Sequence, residues 1–313
     1  RGLRTGRRAG FPGRGRRIAP HSFAVPRGLD WWRGEPGGAD WLERLPKLVA
    51  EVAEEWSLEL EAPFEPAHIS LVVPSRLAGG GDAVLKVNFP EPESEHEADA
   101  LASWDGNGAA RLLAHDTGRR ALLVERCIPG TQLWEVEDEE EANAIAAGVL
   151  GRLWEAPPGG EFRLLAREAA RWAESLPDRW ETAGRPFDRT LLDEAVGFLR
   201  AQPHPGHEVL LHQDLHGGNI LRSARGWLAI DPKPLVGERA FDVASLLRDR
   251  REALASEPDA AGRMRRRLDF FSDRLELDRE RVRGWGIAHA LAWGFEGSRV
   301  LSGHVECARL LMG

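Results

Sequence analysis

The pattern of apolar and polar positions predicts a β-rich first part of the chain. Apolar residues three and four apart predict a helix over 39–56, with Asp40 as its N-cap. The runs HISLVVP and DAVLKVNF, separated by Gly79–Gly81, predict a β-hairpin. EPESEHEADALASW predicts an acidic helix, and RLLAHD and RALLVERC predict two more strands joined at Thr117–Gly118. These elements predict a small antiparallel sheet with one inserted helix.

After Pro129–Gly130 the helical period dominates. The predicted helices cover 136–155, 162–175, 188–201, 239–255, 259–275 and 278–298. Short strands between Glu208 and Asp231 interrupt them once. The chain therefore predicts an α+β protein with two lobes, an N-terminal lobe at 25–128 and a larger, mainly helical C-terminal lobe at 129–313.

Composition narrows the class of protein. A chain of 313 residues fits two domains, and no run of roughly 18 apolar residues predicts a transmembrane helix, so no membrane association is expected. The two cysteines, Cys127 and Cys307, lie far apart without a CxxC motif. This spacing argues against a disulfide scaffold or a cysteine zinc site, and it favours a reducing, cytoplasmic setting.

The charge of the chain is unevenly spread. Residues 1–29 contain eight arginines and no acidic residue, which leaves a formal charge of −16 on residues 30–313. An acidic body argues against a nucleic-acid partner and favours a cationic one. Residues 1–24, rich in Arg, Gly and Pro, are predicted to form a disordered basic extension.

Lysine is rare in this chain. Three lysines stand against thirty-nine arginines, so a lysine that persists is a candidate for a site that needs a compact ammonium group. Lys47 fits an ordinary helix face. Lys86, inside AVLKV, and Lys233 lie in apolar surroundings and are the better candidates.

The stretch LLHQDLHGGNIL (210–221) carries the clearest chemistry. Polar groups beside buried strands must be hydrogen-bonded, bound to a metal or ligand, or used in catalysis. The spacing His212-x-Asp214-x4-Asn219, followed by Asp231 after GWLAI, matches a kinase catalytic loop and metal-binding aspartate. Asp214 would accept the proton of an attacking hydroxyl, and Asn219 and Asp231 would offer oxygen ligands to Mg²⁺.

Two further features complete a phosphoryl-transfer site. Gly217 and Gly218 are expected to allow the tight turn before the asparagine. In the first lobe, Lys86 has the setting of a lysine that contacts nucleotide phosphates, and Glu97 fits the register of its partner better than the two preceding glutamates. The segment LLVERCIPG would be a hinge whose backbone pairs with adenine.

Seven segments carry a resemblance to a known family. They are VPRGLDWWRG, WLERLPKLVAEVAEEW, AVLKV, HEADAL, LLVERCIPGTQL, LHQDLHGGNIL and AIDPKPLVGERAFDVASLLRD, and they extend from Val25 over nearly the whole remaining chain. With them the sequence resembles the aminoglycoside-phosphotransferase branch of the protein-kinase-like fold. It is most similar to the streptomycin 6-kinase and aminoglycoside/hydroxyurea resistance kinase subgroup.

The resemblance implies an ATP- and Mg²⁺-dependent kinase that phosphorylates a hydroxyl of a small cationic antibiotic and confers resistance, with streptomycin as the foremost candidate. A cytoplasmic monomer is expected. By position, the resemblance implies catalysis by Asp214, metal binding by Asn219 and Asp231, phosphate contact by Lys86 with Glu97 as its partner, and a structural role for Asp242. The residues themselves add Ser70, Glu125 and Cys127 as candidate nucleotide contacts and His212 and Lys233 as candidate supporting residues.

One segment departs from the family pattern. The place of the phosphate loop is Phe64–Ser70, which contains no glycine and offers fewer backbone N–H groups to phosphates, although Ser70 is expected to donate. This departure leaves open a nucleotide-binding pseudokinase. The residues also allow a kinase of another small alcohol, such as a sugar, homoserine, choline or hydroxyurea, and a zinc hydrolase built on His212, Asp214 and His216.

The acceptor site is less clearly marked. The C-terminal helices are expected to build it, with Asp249, Glu296, Trp285 and Trp293 as candidates. The acidic run EVEDEEEAN (135–143) either attracts a cationic substrate or is an ordinary acidic helix N-terminus.

Overall fold

A computed structural model describes residues 17–18, 24–201, 208–255 and 257–313. Nearly all of the predicted basic extension at 1–24 lies outside these residues. The chain divides into two compact units. The first comprises residues up to 98, 110–131 and 222–226, and the second comprises 99–109, 132–221 and 227–313. Within the described ranges, no helix has both the length and the apolar character needed to span a membrane.

The first unit contains a six-stranded antiparallel sheet in the order β1-β2-β3-β4-β6-β5. The strands are β1 Arg17–Ile18, β2 Leu58–Glu61, β3 Leu71–Leu77, β4 Asp82–Val87, β5 Leu112–Asp116 and β6 Ala121–Glu125. The four predicted strands are confirmed as β3 to β6, while β1 and β2 were not predicted. Lys86 lies in β4, in the middle of the sheet.

Helix α1 (Gly38–Glu55) supplies the other half of this unit's core. Its apolar face is buried together with the sheet. At one side Trp32 and Phe89 stack with ring centroids 4.0 Å apart, and Trp41 meets both rings edge-on. The helix was predicted, but its cap was not. Gly37, with φ 79°, occupies the N-cap, and Asp40 lies inside the first turn.

The predicted acidic helix is shorter than its sequence run. A short 3₁₀ turn spans Pro92–Ser94, and α2 begins only at Glu97 and ends at Trp104. Glu97 is therefore in the first turn of α2, where the negative carboxylate also suits the helix dipole.

The second unit is mainly helical. Its helices are α3 Glu139–Leu153, α4 Leu165–Thr182, α5 Arg189–Arg200, α6 Val243–Leu247, α7 Arg251–Ala255, α8 Ala260–Arg274, α9 Arg279–Ala292 and α10 Ser302–Met312. The remaining strands are β7 Arg163–Leu164, β8 Glu208–Leu211, β9 Ile220–Ser223, β10 Gly226–Ala229, β11 Leu235–Glu238, β12 Phe295–Glu296 and β13 Arg299–Val300. Strands β7, β11 and β8 form a small sheet, and β9 and β10 form a hairpin.

Three predicted helices are wrong in extent. The run predicted at 162–175 is α4, which begins at Leu165 and continues to Thr182. The run 239–255 is a 3₁₀ turn followed by α6 and α7, and it breaks at Arg250, whose φ is 54°. The Arg250 guanidinium donates to the carbonyls of Trp134 (2.8 Å) and Val136 (2.7 Å), contacts that a local pattern does not reveal. The run 278–298 ends as α9 at Ala292 and continues into the β12–β13 hairpin.

Candidate active site

Asp242 fixes the start of the loop that follows β8. This fully buried carboxylate accepts from the backbone N–H of His212 (3.0 Å), from that of Gln213 (2.7 Å) and from the indole of Trp154 (3.1 Å). Gln213 has a left-handed φ of 68°, and the two backbone hydrogen bonds hold this strained conformation. Burial raises the pKa of Asp242 to about 6.

His212 links the loop to the end of β10. Its Nε2 lies 3.0 Å from the carbonyl of Ile230, and because a carbonyl only accepts, Nε2 carries the proton. Burial lowers the pKa of His212 to about 3, so the ring is neutral, and its Nδ1 has no hydrogen-bond partner among the described residues. The neutral His212 ring thus links the catalytic loop to Ile230, the residue immediately before Asp231.

Asn219 and Asp231 present the oxygen groups expected of a Mg²⁺ site. The amide nitrogen of Asn219 donates to the Asp214 carbonyl (3.0 Å), so the amide oxygen is the atom left for a metal. The N–H of Ile230 donates to the Asn219 carbonyl (2.9 Å), and Asp231 has a left-handed φ of 60°. One amide oxygen and one carboxylate fit Mg²⁺, which takes its other ligands from phosphates and water.

The two glycines of the loop are needed for space rather than for conformation. Neither has a positive φ. A Cβ on Gly217 would lie 2.4 Å from the Trp134 side chain, and one on Gly218 would lie 2.7 Å from it. Trp134 also stacks on His216 with centroids 4.9 Å apart, and Asp249 accepts from the Gly217 N–H (2.9 Å). The expected tight turn is present as a 3₁₀ turn at Gly217–Asn219, and the glycines allow it because they have no side chain rather than because of backbone freedom.

The zinc hydrolase hypothesis finds no support in this geometry. The Nδ1 of His216 accepts from the Gly218 N–H (3.1 Å), and the Nε2 of His212 is engaged with a carbonyl. Over the ranges that the structure describes, no group of three or more His, Cys, Asp and Glu side chains could hold a metal.

Lys233 lies beside the candidate base. Its Nζ is 3.6 Å from the Oδ2 of Asp214 and 4.7 Å from the centroid of the Trp293 ring. Its backbone N–H donates to the His212 carbonyl (3.0 Å), which ties the segment after Asp231 to the loop.

In the first unit, Lys86 is held by a buried polar network. Its Nζ lies 2.7 and 2.6 Å from the two carboxylate oxygens of Glu97. The Asn88 amide also donates to Glu97 (2.7 Å), and the Ser70 hydroxyl donates to Asn88 (2.6 Å). The structure therefore brings Ser70, Lys86 and Glu97 together. Asn88 was missed, although its spacing of two from Lys86 places both on one strand face.

The glycine-free loop Phe64–Ser70 is held from outside by two tryptophans. The indole of Trp31 donates to the His68 carbonyl (2.5 Å), and that of Trp32 donates to the Ile69 carbonyl (2.9 Å). Both belong to a 3₁₀ helix at Arg27–Gly34. These bonds fix the backbone of the loop directly.

The predicted hinge, residues 122–130, begins inside β6 and continues beyond its last residue, Glu125. The Glu125 carboxylate accepts two hydrogen bonds from Arg225 (2.9 and 2.6 Å) and one from the Arg111 N–H (3.1 Å). The Arg225 guanidinium lowers the pKa of Glu125. Burial raises the pKa of Cys127 to about 12, so its thiol stays protonated. The assignment of the Glu125 and Cys127 backbones to adenine stays a prediction.

The sequence around these two sets of residues matches a known family. The model of the aminoglycoside/hydroxyurea antibiotic resistance kinase family matches residues 55–298. The chain belongs to this family. Membership makes it a phosphotransferase with an alcohol group as acceptor, as the catalytic-loop motif predicted.

Individual relatives of this kinase support the family assignment. It is 38% identical over 274 residues to the streptomycin 6-kinase of Streptomyces griseus, over 85% of this chain and 88% of that relative. It is 35% identical over 292 residues to the hydroxyurea phosphotransferase of Kitasatospora aureofaciens, over 90% and 82% of the two chains. A choline/ethanolamine kinase family protein of Mesorhizobium loti has a TM-score of 0.60 at 14% identity, over 86% and 94% of the two chains. The predicted α+β, protein-kinase-like fold is confirmed.

The acceptor candidates of this kinase do not all lie where a substrate could reach them. Trp285 is fully buried and packs against Phe241 and Phe198 in the helical core, so its assignment to an acceptor pocket is wrong. The Asp249 carboxylate accepts a hydrogen bond from the Gly217 N–H in the catalytic loop, and the Lys233 ammonium lies over the Trp293 ring.

Three buried histidines predict acid sensitivity of this kinase. Burial lowers the pKa of His212 and His304 to about 3 and that of His289 well below 6.5. Each contributes stability that is present above pH 6.5 and is lost as the pH falls toward 3, by about 1.4 kcal/mol per pH unit. Asp242 acts oppositely, because its raised pKa stabilises the folded state as the pH falls through 6 toward 4.

The free energy of unfolding should therefore be lower at pH 5.0 than at pH 7.5, because three histidines with lowered pKa values oppose one aspartate with a raised pKa. Urea unfolding at pH 7.5 and 5.0 measures it. His304→Gln keeps an acceptor for Arg248 and should make the pH slope clearly shallower, because one of the three histidines that oppose Asp242 is removed. Equal stability at the two pH values would contradict this account.

Proposed function

We propose that this kinase transfers the γ-phosphoryl group of ATP to a hydroxyl of an aminoglycoside antibiotic, with streptomycin as the substrate to test first. The arrangement of Asp214 with Asn219 and Asp231 carries the proposal, because it combines a carboxylate beside the reacting hydroxyl with oxygen ligands for Mg²⁺. The substrate class is supported by the relative named streptomycin 6-kinase, at 38% identity.

Asp214 would act as the base. Its backbone carbonyl and N–H are engaged within the loop, with Asn219 and with His212, so the side chain is available while the loop stays fixed. The carboxylate accepts the proton of the acceptor hydroxyl as the oxygen attacks phosphorus. Bound at Asn219 and Asp231, Mg²⁺ would neutralise charge on the phosphates.

The first unit would hold the nucleotide. Lys86 is fixed by two contacts to Glu97, and its ammonium is suited to phosphate oxygens. We therefore assign nucleotide binding to the lobe predicted at 25–128 and acceptor binding to 129–313. We also propose a cytoplasmic monomer. The charge of −16 on residues 30–313 would attract a polycationic substrate.

A panel of acceptors tests the proposal. ADP release with Mg·ATP is measured for streptomycin, hydroxyurea, choline and a neutral sugar. The highest kcat/KM is expected for streptomycin, and added salt should lower it, because attraction between opposite charges is screened. Release of ADP without dependence on any acceptor, or a preference for the neutral sugar, would overturn the assignment.

Hydroxyurea is the second candidate acceptor. The relative named hydroxyurea phosphotransferase is 35% identical to this chain, close to the identity with the streptomycin kinase. A preference for hydroxyurea in the same panel would leave the proposed catalytic residues unchanged and replace streptomycin as the proposed acceptor. Nucleotide binding without turnover on any acceptor would instead favour a pseudokinase.

Replacement of Lys86 by Met should lower kcat/KM for ATP by about 10²-fold, since a preorganised donor to the reacting phosphates is lost. The variant also leaves the buried Glu97 carboxylate with Asn88 but without its cation, which destabilises a protein by about 3–5 kcal/mol. The double variant Lys86→Met/Glu97→Gln removes that charge. Steady-state kinetics and urea unfolding of both variants should show that the double variant regains stability but not activity.

A further inference from the structure

Lys233 occupies a position that the kinase motif does not account for. Its Nζ is 3.6 Å from the Asp214 carboxylate, longer than a hydrogen bond, and an ammonium has three N–H donors, so it can also contact an oxygen atom of another molecule. It is one of three lysines in a chain with thirty-nine arginines. A compact ammonium has therefore been kept beside the base where arginine is otherwise the rule.

Trp293 holds this ammonium in place. Lys233 lies over its ring at 4.7 Å, and the guanidinium of Arg248 lies 5.8 Å from the same ring. Two cations on one indole ring are attracted to its electron-rich faces although they repel each other. The indole thus fixes Lys233 from the side of the helical core.

Arg248 is itself buried and is bound by neutral groups. Its guanidinium donates to the Nδ1 of His289 (2.7 Å) and to the Nδ1 of His304 (3.1 Å), and it lies 3.4 Å from the Ser245 hydroxyl. Neutral acceptors do not cancel its charge. The Asp214 and Asp249 carboxylates attract this buried guanidinium electrostatically, so Arg248 and Lys233 both lie within the influence of the Asp214 charge. Such a pair of cations suits an anionic group beside the base.

We propose that Lys233 is a catalytic residue whose ammonium contacts both Asp214 and the non-bridging oxygens of the phosphoryl group during its transfer. The proposal rests on the phosphotransferase function proposed above. Trp293 is a positioning residue, since it acts through Lys233. The ammonium stabilises charge on the phosphoryl oxygens at the moment of transfer, and hence lowers the barrier rather than tightening the binding of either substrate.

The reaction balances without any further reactant. The acceptor oxygen forms a bond to the γ-phosphorus, and the bond from that phosphorus to the β–γ bridging oxygen breaks. The electron pair of the broken bond leaves with ADP, and the hydroxyl proton passes to Asp214. Lys233 keeps its own protons throughout.

Lys233→Met tests the proposal. We expect kcat to fall about 10²-fold while KM for ATP and for the acceptor stay within about threefold, because the lost contact belongs to the transition state. Lys47→Met is the matched control. That lysine has a side chain 83% exposed on α1, and its replacement should leave kcat unchanged.

Chemical rescue separates a catalytic ammonium from a structural one. Lys233→Cys treated with 2-bromoethylamine gains a lysine-like ammonium and should recover at least about tenfold in kcat. Burial raises the pKa values of Cys127 and Cys307 to about 12 and about 11, so these thiols react slowly, and the treated wild type is the control. For Trp293, the Leu variant should lose more kcat than the Phe variant, which keeps an aromatic ring.

Three results would overturn the inference. One is a kcat of Lys233→Met within threefold of the wild type. Another is a rise in KM for the acceptor at unchanged kcat, which would make Lys233 a binding residue. The third is failure of aminoethylation to restore kcat. Failure of the proposed function looks different, because the wild type and Lys47→Met would then be equally inactive with every acceptor.

Discussion

Asp214→Asn should lower kcat by about 10³-fold or more, with little change in the affinity for ATP. The amide cannot accept the hydroxyl proton, and a positioned base contributes about 10²–10⁴-fold. The fold of the loop should survive, because Asn219 hydrogen-bonds the backbone carbonyl of Asp214 and not its carboxylate. Turnover with Mg·ATP and the preferred acceptor, together with nucleotide binding by calorimetry, measures the two quantities.

A matched control for this variant lies on α4. Asp178 is exposed on that helix, and Asp178→Asn should leave both kcat and the melting temperature unchanged. Retention of a tenth or more of the wild-type kcat by Asp214→Asn would contradict its role as the base. A large drop in melting temperature would instead show that the carboxylate holds the loop together.

Asp242→Ala should lower the free energy of unfolding by about 3–9 kcal/mol, the largest stability effect that this structure predicts. The change leaves three buried donors without an acceptor, namely the N–H groups of His212 and Gln213 and the Trp154 indole. Each unsatisfied donor costs about 1–3 kcal/mol. Urea unfolding at pH 7.5 measures the loss.

Asp242→Asn refines the same prediction. One amide oxygen cannot accept both backbone N–H bonds in the present geometry, and the amide NH₂ would face a donor, so an intermediate loss of about 2 kcal/mol is expected. Asp178→Ala, on the exposed face of α4, should change stability by less than about 0.5 kcal/mol. If Asp242→Ala were as stable as Asp178→Ala, the carboxylate would not be holding the loop.

Local sequence was sufficient to predict which site residues come together when they belong to one short motif. Asp214 and Asn219 are five residues apart in one loop, and their contact is a property of that loop. Lys86 and Glu97 were paired from strand and helix register, and the structure places them 2.6–2.7 Å apart. Such pairs depend on periodicity, which the sequence displays directly.

Contacts between distant segments could not be predicted in this way. The indoles of Trp31 and Trp32 reach carbonyls thirty-seven residues further along the chain. Arg248 meets His289 across forty-one residues and His304 across fifty-six. No local pattern marks these pairs, because they exist only after the helices pack.

The errors in helix extent have the same origin. Arg250 adopts a left-handed conformation inside a run of good helix formers, since its guanidinium is bound by carbonyls near residue 134. Trp285 was a candidate substrate contact because it lies on one of the C-terminal helices, yet it fills the core beside Phe241. Tertiary packing decided both cases against the local preference.

The mass of streptomycin after incubation with the protein and Mg·ATP tests the central claim most directly. The wild type should add one phosphate group to the antibiotic, and fragmentation of the product should place it on a single hydroxyl. The Asp214→Asn protein should leave the antibiotic unchanged under the same conditions. Unmodified streptomycin with the wild-type protein, while another alcohol in the same mixture gains phosphate, would contradict the aminoglycoside assignment.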